Sequence, residues 1–201
     1  ELIDNVEFNQ YKTNLKTISE KSKLMEETNN ICEVNNFIHR NITKFVKKFI
    51  SPETPYKGIL LYHGVGVGKT CNSITIAEQF VDYCKKMNKK IFIITPAAIK
   101  ESFMNQIYNK NKIQYDNRSQ QCTGNKYEEL YKKYISTLDY EKEPNNNDFF
   151  NNYTEYNIYT KDVFVNEFFE KKKFNSDENY RNKIKSKFDN SIIIIDEAHS
   201  L

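Results

Sequence analysis

The stretch GILLYHGVGVGKT, residues 58–70, decides the fold of this chain. A short apolar run over 58–63 leads into a glycine-rich loop that ends in Gly-Lys-Thr at 68–70. This order is typical of a phosphate-binding loop between a strand and a helix. The common pattern, G-x-x-x-x-G-K-[ST], would place a glycine where this sequence has His63. That position lies on the strand side of the loop, so the part of the loop that would surround a phosphate is intact.

The residue types in this loop suit the binding of a nucleotide. Phosphate groups are bound by backbone N–H groups that point inward, with the start of a helix behind them. In such a loop the Lys69 ammonium group would reach the β- and γ-phosphates, and the Thr70 hydroxyl would bind Mg²⁺. An ordinary turn from strand to helix is the alternative. The predicted nucleotide-binding residues are Gly64, Val65, Gly66, Val67, Gly68, Lys69, Thr70 and Cys71.

A second motif, SIIIIDEAHS at 191–200, places two acids directly after four isoleucines. Ligands of open α/β sheets bind at the carboxyl ends of the strands, which is where Asp196 is expected. Asp196 is therefore a predicted Mg²⁺ ligand, and Glu197 is predicted to orient or deprotonate an attacking water. The four letters DEAH alone would also fit the solvated start of a helix. Together with Lys69 in the first motif, these two acids form the predicted catalytic set.

Hydrophobic periodicity predicts alternating helices and strands, and hence an α/β domain whose parallel sheet is flanked by helices. Strands are predicted at 58–63, 89–96, 156–160 and 191–195. Helices are predicted at 31–50, 71–87, 97–108, 163–169 and 177–188. The part that is hardest to interpret is 109–155. Its Asn-rich end, EPNNNDFFNNYTEYN at 143–157, is predicted to be a surface loop or an insertion.

Composition sets limits on the class of protein. A chain of 201 residues suits one domain, and a formal net charge of +3 gives no strong electrostatic argument for nucleic acid. No apolar run approaches the length needed to span a membrane. The histidines do not cluster, and the cysteines form no C-x-x-C pair, so four reduced thiols in an intracellular protein are expected. The cysteines are Cys32, Cys71, Cys84 and Cys122.

Three stretches resemble the superfamily 2 helicases of the DEAH type: 49–78, 122–127 and 196–201. The resemblance is to the helicase-like ATPases of nucleocytoplasmic large DNA viruses, a group that includes the small subunit of the poxvirus early transcription factor and its nucleoside triphosphatase relatives. It implies a P-loop NTPase fold and a first RecA-like domain that is truncated after motif II. The domain would occupy 51–201, with an insertion at about 109–155, and a helical segment at 1–50 would precede it.

The resemblance also implies roles for individual residues. Motif I would comprise Gly66, Gly68, Lys69 and Thr70, and motif II Asp196 and Glu197. His199 would couple the nucleotide state to nucleic acid. Thr95 and Thr160 are candidate nucleic-acid contacts, although each also suits the start of a helix as an N-cap, and for Thr160 the N-cap interpretation is favoured.

The implied cofactors are ATP and Mg²⁺, and the implied partners are DNA or RNA, a second RecA-like domain, and viral RNA polymerase or other transcription proteins. An intracellular location, in host cytoplasm or in a virion, would follow, with no membrane partner. Adenine recognition has no clear motif upstream of the loop, and stacking by Tyr56 is one suggestion. The chain also lacks the arginine that the second domain supplies, so this part alone is expected to bind ATP and hydrolyse it slowly.

Three functions remain open on the sequence alone. The first is the N-terminal part of an ATP-dependent helicase or translocase. The second is the ATPase subunit of a viral transcription factor that remodels complexes without separating strands. The third is a nucleotide-binding scaffold that does not hydrolyse ATP, while a DNA-packaging ATPase is a minor alternative.

Overall fold

The computed structural model describes residues 41–62, 68–111, 121–139, 142–169 and 177–200. Within these ranges the chain alternates helices and strands, as an α/β domain does. The elements in chain order are α1 (Asn41–Phe49), α2 (Lys69–Glu78), α3 (Val81–Met87), β1 (Ile91–Thr95), α4 (Ala97–Ile107), α5 (Glu128–Ser136), α6 (Asn146–Tyr153), β2 (Tyr156–Thr160), α7 (Lys161–Phe168), α8 (Asp177–Phe188) and β3 (Ile192–Ile195), followed by a 3-10 turn (Ala198–Ser200).

The three strands form a parallel sheet in the order β2-β1-β3. In the register of the sheet, Ile91 at the start of β1 lies opposite Tyr156 of β2 and Ile192 of β3. Parallel strands end at the same side, so Thr95 and Thr160 lie at one edge of the sheet, together with the end of β3. We call this side the carboxyl edge and the opposite side the amino edge. The predicted parallel sheet flanked by helices is confirmed.

Helices cover both faces of the central strand β1, whose five residues are all buried. Ile91 and Ile93 belong to the main core cluster, which α2, α3, α4, α5 and α6 supply from one face. On the other face Ile94 packs against Phe164 and Phe168 of α7. This burial on both faces explains why β1 reads as a continuous apolar run. Within the described ranges, no helix is both long and apolar enough to cross a membrane.

The helix predicted over 71–87 is two helices, α2 and α3, separated at Gln79 and Phe80. The Gln79 side chain donates hydrogen bonds through Nε2 to the carbonyl oxygens of Lys47 and Ile50, at 2.8 and 3.0 Å. The turn between α2 and α3 is therefore hydrogen-bonded to the end of α1. Because these bonds connect distant parts of the chain, periodicity alone could not predict the interruption.

The strand predicted over 58–63 is wrong for the residues that the structure describes there. Residues 58–62 are neither helical nor paired in the sheet. Leu60 is 80% exposed and Tyr62 is 92% exposed. A β-strand is stabilised by hydrogen bonds to a neighbouring strand, so an apolar run without such a neighbour does not form a strand. His63 lies outside the described residues.

The Asn-rich stretch 143–157 is not a surface loop. It forms α6 and then β2, and the side chains of Phe149 and Phe150 are 0% and 1% exposed. Asn145 caps the helix, because its side chain accepts a hydrogen bond from the Asn147 N–H at 2.8 Å. The asparagines thus start and cover a helix whose two phenylalanines fill the core. Whether 109–155 is an insertion stays a prediction, as does the division of the chain at residue 50.

The prediction of four reduced thiols is wrong for one pair. Cys71 at the start of α2 and Cys122 in the turn over 121–127 form a disulfide, with their Cα atoms 5.3 Å apart. The two residues are 51 positions apart in sequence, so the fold and not the spacing brings them together. Cys84 is a buried free thiol, and Cys32 lies outside the described residues.

Candidate active site

The start of α2 has the backbone geometry that the predicted phosphate-binding loop requires at this point. Gly68 is its N-cap and has a left-handed backbone, with φ 87° and ψ 26°. An added Cβ there would meet nothing within 4 Å, so the dihedral angle and not the space is what requires glycine. The first helical hydrogen bond runs from the Asn72 N–H to the Gly68 carbonyl at 3.0 Å. The hydrogen bonds of the helix therefore begin at Asn72, and the N–H groups before it belong to the first turn, which is the part of a helix that binds phosphates in such loops.

The rest of the predicted loop lies outside the described residues. These positions are Gly64, Val65, Gly66 and Val67. Their roles in binding a nucleotide stay predictions. The described part of the loop, 68–71, has the left-handed glycine and the helix start that the motif requires.

The direction of α2 follows from a contact at its far end. Glu78 is the last residue of α2, and its Oε1 accepts a hydrogen bond at 2.5 Å from the hydroxyl of Tyr156, the first residue of β2. The end of α2 therefore lies at the amino edge of the sheet. A helix of ten residues is about 15 Å long, similar to a strand of five residues. Ile74 and Ala77 of α2 belong to the same core cluster as Ile91 and Ile93 of β1. From these two observations we infer that the start of α2, with Lys69 and Thr70, lies toward the carboxyl edge.

Asp196 follows β3 at that same edge. Its N–H donates to the Ile94 carbonyl at 2.8 Å and so continues the sheet by one residue. Its Oδ1 accepts a hydrogen bond from the Glu197 N–H at 3.1 Å, and its Oδ2 accepts a long one from the Thr95 hydroxyl at 3.5 Å. A carboxylate has about four lone-pair sites, so these two bonds orient Asp196 without using up its capacity for a water or a metal.

Glu197 lies in an unusual backbone conformation. Its φ is 51°, in the left-handed region that residues other than glycine rarely adopt. The Lys161 ammonium group donates to its carbonyl oxygen at 2.8 Å. Its carboxylate Oε2 lies 3.3 Å from Nδ1 of His199, and the Glu197 side chain is 39% exposed. The backbone of Glu197 is thus held by Lys161, while its carboxylate lies beside His199 and is reached by water, as the predicted role in deprotonating water requires.

His199 belongs to this group of residues but faces outward. Its side chain is 78% exposed, in the 3-10 turn that follows Glu197. That His199 couples the nucleotide state to nucleic acid stays a prediction.

Thr95 was predicted to contact nucleic acid or to cap α4, and its position in the structure fits neither role well. It is 0% exposed, and its hydroxyl points to Asp196. The N-cap of α4 is Pro96, so the N-cap interpretation of Thr95 is wrong. A fully buried hydroxyl offers no surface to a phosphate, so this position fits support of Asp196 better than contact with nucleic acid.

Thr160 is the N-cap of α7, as the favoured interpretation of the sequence predicted. Its hydroxyl oxygen accepts a hydrogen bond from the Val163 N–H at 3.4 Å. Tyr56, suggested as a stacking partner for adenine, stacks on Phe49 with ring centroids 4.2 Å apart. One face of its ring is therefore already used inside the protein.

Sequence reasoning missed Lys161. The signal was present, because Lys161 directly follows the predicted strand YNIYT and therefore had to lie at the carboxyl edge. What could not be predicted was the direction of its side chain toward Glu197, which depends on the order of the strands.

The residues present fit a magnesium–nucleotide complex. Mg²⁺ is usually bound by one or two protein oxygens together with substrate phosphates and waters, not by a cage of protein ligands. The Thr70 hydroxyl and the Asp196 carboxylate are the oxygens that would hold it. Within the described part of the chain, no group of three or more His, Cys, Asp or Glu residues is arranged to hold a metal ion.

Comparisons with known proteins point in the same direction. The family model described as "Type III restriction enzyme, res subunit" (ResIII) matches residues 31–201. "Putative ATP-dependent RNA helicase L377" of Acanthamoeba polyphaga mimivirus is 32% identical over 117 residues, which cover 58% of this chain and 9% of that protein. "Putative ATP-dependent RNA helicase R563" of the same virus is 45% identical over 64 residues, which cover 32% of this chain and 10% of that protein.

A relative from another virus matches a longer part of the chain. "Putative helicase 087L" of Invertebrate iridescent virus 3 is 32% identical over 167 residues, which cover 79% of this chain and 14% of that protein. The chain thus spans between 9% and 14% of the length of these three relatives. No solved structure matches the chain.

Proposed function

Because the chain belongs to the family described as the res subunit of type III restriction enzymes, we propose that it is the ATP-binding part of an ATP-dependent nucleic-acid helicase or translocase. One observation carries this proposal. The Asp196–Glu197 pair follows β3 at the carboxyl edge, and the Glu78 contact at the far end of α2 supports a position of its start, which begins at Gly68, toward the same edge. Ligands of open α/β sheets bind at that edge.

In the proposed reaction each residue has one task. The N–H groups of the loop over 64–71 hold the phosphates of ATP, and the Lys69 ammonium group neutralises charge on the β- and γ-phosphates. The Thr70 hydroxyl and the Asp196 carboxylate hold Mg²⁺, which when bound stabilises the negative charge that develops on the transferred phosphoryl group. The Glu197 carboxylate orients the attacking water and accepts its proton.

The names of the relatives support nucleic acid as the partner. Two mimivirus relatives bear the name of an ATP-dependent RNA helicase, and an iridescent virus relative bears the name of a helicase. We therefore propose that a DNA or RNA strand passes the carboxyl edge near Thr160, and that His199 conveys the state of the nucleotide to it. A second RecA-like domain elsewhere in the protein would supply the arginine needed for full turnover.

Two further proposals concern the setting. The protein would act inside the cell, in host cytoplasm or in a virion, beside viral RNA polymerase or other transcription proteins. This setting would agree with the viral origin of its relatives. An ATPase that remodels a transcription complex without separating strands would use the same residues. A nucleotide-binding scaffold without hydrolysis is the less favoured alternative, because the Glu197 backbone is held by Lys161 and the Glu197 carboxylate is accessible to water.

The test is ATP hydrolysis by the full-length protein with Mg²⁺, measured with and without single-stranded RNA and DNA. We expect turnover that nucleic acid stimulates, and a separate duplex assay then distinguishes a helicase from a remodelling ATPase. Nucleotide binding without any hydrolysis would favour the scaffold. Failure to bind ATP at all would contradict the proposal.

A further inference from the structure

The carboxyl edge of the sheet is crossed by one side chain that the proposed chemistry does not use. Lys161 starts α7, directly after β2, while Glu197 follows β3. These two strands are not neighbours, because each pairs with β1. Neighbouring strands lie about 4.8 Å apart, so the ends of β2 and β3 are separated by about 10 Å. The Lys161 ammonium group donates to the Glu197 carbonyl oxygen at 2.8 Å and so connects the chain after β2 with the chain after β3.

The backbone that Lys161 holds is one that needs support. A residue other than glycine rarely adopts left-handed dihedral angles, and it keeps them where its surroundings fix it. At Glu197 the contacts reach the N–H through Asp196, the carbonyl oxygen through Lys161, and the carboxylate through His199. A charged donor makes one of the stronger hydrogen bonds to a carbonyl.

From this geometry we infer that Lys161 is a positioning residue for ATP hydrolysis, because it fixes the backbone turn from which the Glu197 carboxylate projects. The inference rests on the proposed function and adds a residue to it. Release of the carbonyl oxygen would let the turn relax toward ordinary dihedral angles and would move the carboxylate away from the attacking water. Displacement of a reacting group by about 1 Å can lower a rate by about 100-fold.

The same contact connects two regions of the described chain. Lys161 lies next to Thr160, which caps α7 and stands where the proposed nucleic-acid strand would pass. Glu197 stands where the nucleotide would react. Lys161 therefore links the start of α7 to the residue that activates water.

The experiment compares Lys161→Met with the wild-type full-length protein. Methionine keeps the length and most of the apolar stem of lysine but removes the charged donor. Lys133→Met is the matched control, because Lys133 is an exposed lysine on α5, outside the site. We expect Lys161→Met to lower kcat by about 10- to 100-fold. We expect its dissociation constant for a fluorescent ATP analogue and its melting temperature to match those of the wild type, and Lys133→Met to leave all three quantities unchanged.

A double-mutant cycle with Glu197→Gln separates positioning from a general structural effect. If Lys161 acts through the Glu197 carboxylate, then Lys161→Met will lower the single-turnover rate in the wild-type background and not in the Glu197→Gln background. Lys161→Arg, which keeps a positive charge and a donor, should retain most of the activity and serves as a second variant should Lys161→Met fail to fold.

Three results would overturn the inference. The first is wild-type kcat in Lys161→Met, and the second is a loss of kcat that is matched by equal losses of nucleotide affinity and stability. The third is a loss of equal size in the Glu197→Gln background. A failure of the proposed function would look different, because the wild-type protein itself would then neither bind nor hydrolyse ATP, and both proposals would fall together.

Discussion

Two glutamates at opposite edges of the sheet have opposite surroundings. At the amino edge, Glu78 is 15% exposed and accepts hydrogen bonds from the Tyr127 and Tyr156 hydroxyls, at 2.7 and 2.5 Å, and from Lys126. At the carboxyl edge, the Glu197 side chain is 39% exposed and lies beside His199. A carboxylate enclosed by donors contributes to stability, whereas one that is oriented and still open to water can take part in a reaction.

The largest effect should come from Glu197→Gln. The amide keeps the shape of the side chain but cannot accept a proton from water, so turnover of the full-length protein should fall by about 10²- to 10⁴-fold. Nucleotide affinity and melting temperature should stay close to wild type. Glu129→Gln, at an exposed position of α5, is the control in the same ATPase assay. A variant that keeps wild-type turnover would remove Glu197 from the reaction.

The next effect concerns stability at the amino edge. Glu78→Ala would leave two buried tyrosine hydroxyls without their shared acceptor, and we expect a loss of about 3 kcal/mol in the free energy of unfolding. Denaturant unfolding measures this loss, and Glu101→Ala on an exposed part of α4 is the control. A loss of stability no larger than that of the control would mean that the hydrogen bonds to Glu78 do not stabilise the fold.

Reduction of the Cys71–Cys122 disulfide should have an effect of similar or smaller size. The bond closes a loop of 51 residues between the start of α2 and the turn over 121–127, and such a bond stabilises a protein by about 2–4 kcal/mol. A reducing agent should therefore lower the melting temperature of the wild type but not that of Cys122→Ser. An equal response of both proteins would show that the pair is not bonded in solution.

The two tyrosines at the amino edge should also make the free energy of unfolding fall at alkaline pH. Burial, with the nearby Glu78 carboxylate as a further cause, raises the pKa of Tyr127 above its usual value of 10.0, and burial does the same for Tyr156. In the unfolded chain these groups ionise near pH 10, while in the folded protein they stay neutral to higher pH. Their contribution is thus complete below pH 10 and is lost as the pH rises above it, by up to about 1.4 kcal/mol per pH unit for each group.

Unfolding free energies measured between pH 9 and pH 11 test this expectation. Tyr127→Phe removes one of the two titrating groups, so its stability should fall less steeply with pH than that of the wild type. Slopes that are identical in the two proteins would contradict the assigned origin of the pH dependence.

The smallest effect belongs to the cap of α7. Thr160→Ala removes the oxygen that accepts the Val163 N–H, and an N-cap is worth about 1 kcal/mol. Thr160→Ser keeps the oxygen and should retain the stability of the wild type in the same unfolding experiment. If the nucleic-acid contact proposed near Thr160 is also correct, Thr160→Ala will weaken RNA or DNA binding as well.

The sequence predicted the strand that carries Asp196 and Glu197 better than it predicted several of the surrounding segments. The pattern IIIIDEAH placed Asp196 and Glu197 after a strand at the carboxyl edge, because a run of isoleucines that ends in acids has few other interpretations in an α/β chain. The strands and helices from residue 89 to 108 and from 156 to 195 were predicted for the same reason, namely strong periodicity over a sufficient length. These are local signals, and they were correct.

The errors arose where distant contacts decide the structure. The apolar run at 58–62 needed a partner strand that the described part of the sheet does not provide. The asparagines of 143–157 suggested a surface loop, whereas burial of Phe149 and Phe150 makes the stretch a helix. Thr95 and Lys161 gained their places from the order of the strands, which no single segment of the sequence encodes.

The central claim is that the start of α2 and the end of β3 form one ATP site, and nucleotide binding by the full-length protein tests it most directly. The measurement is a titration with a fluorescent ATP analogue and Mg²⁺, on the wild type, Lys69→Ala and the control Lys85→Ala, an exposed lysine of α3. We predict that Lys69→Ala binds at least about tenfold more weakly, a loss of about 1.4 kcal/mol, and that Lys85→Ala binds as the wild type does. Equal affinities of Lys69→Ala and the wild type would contradict the account.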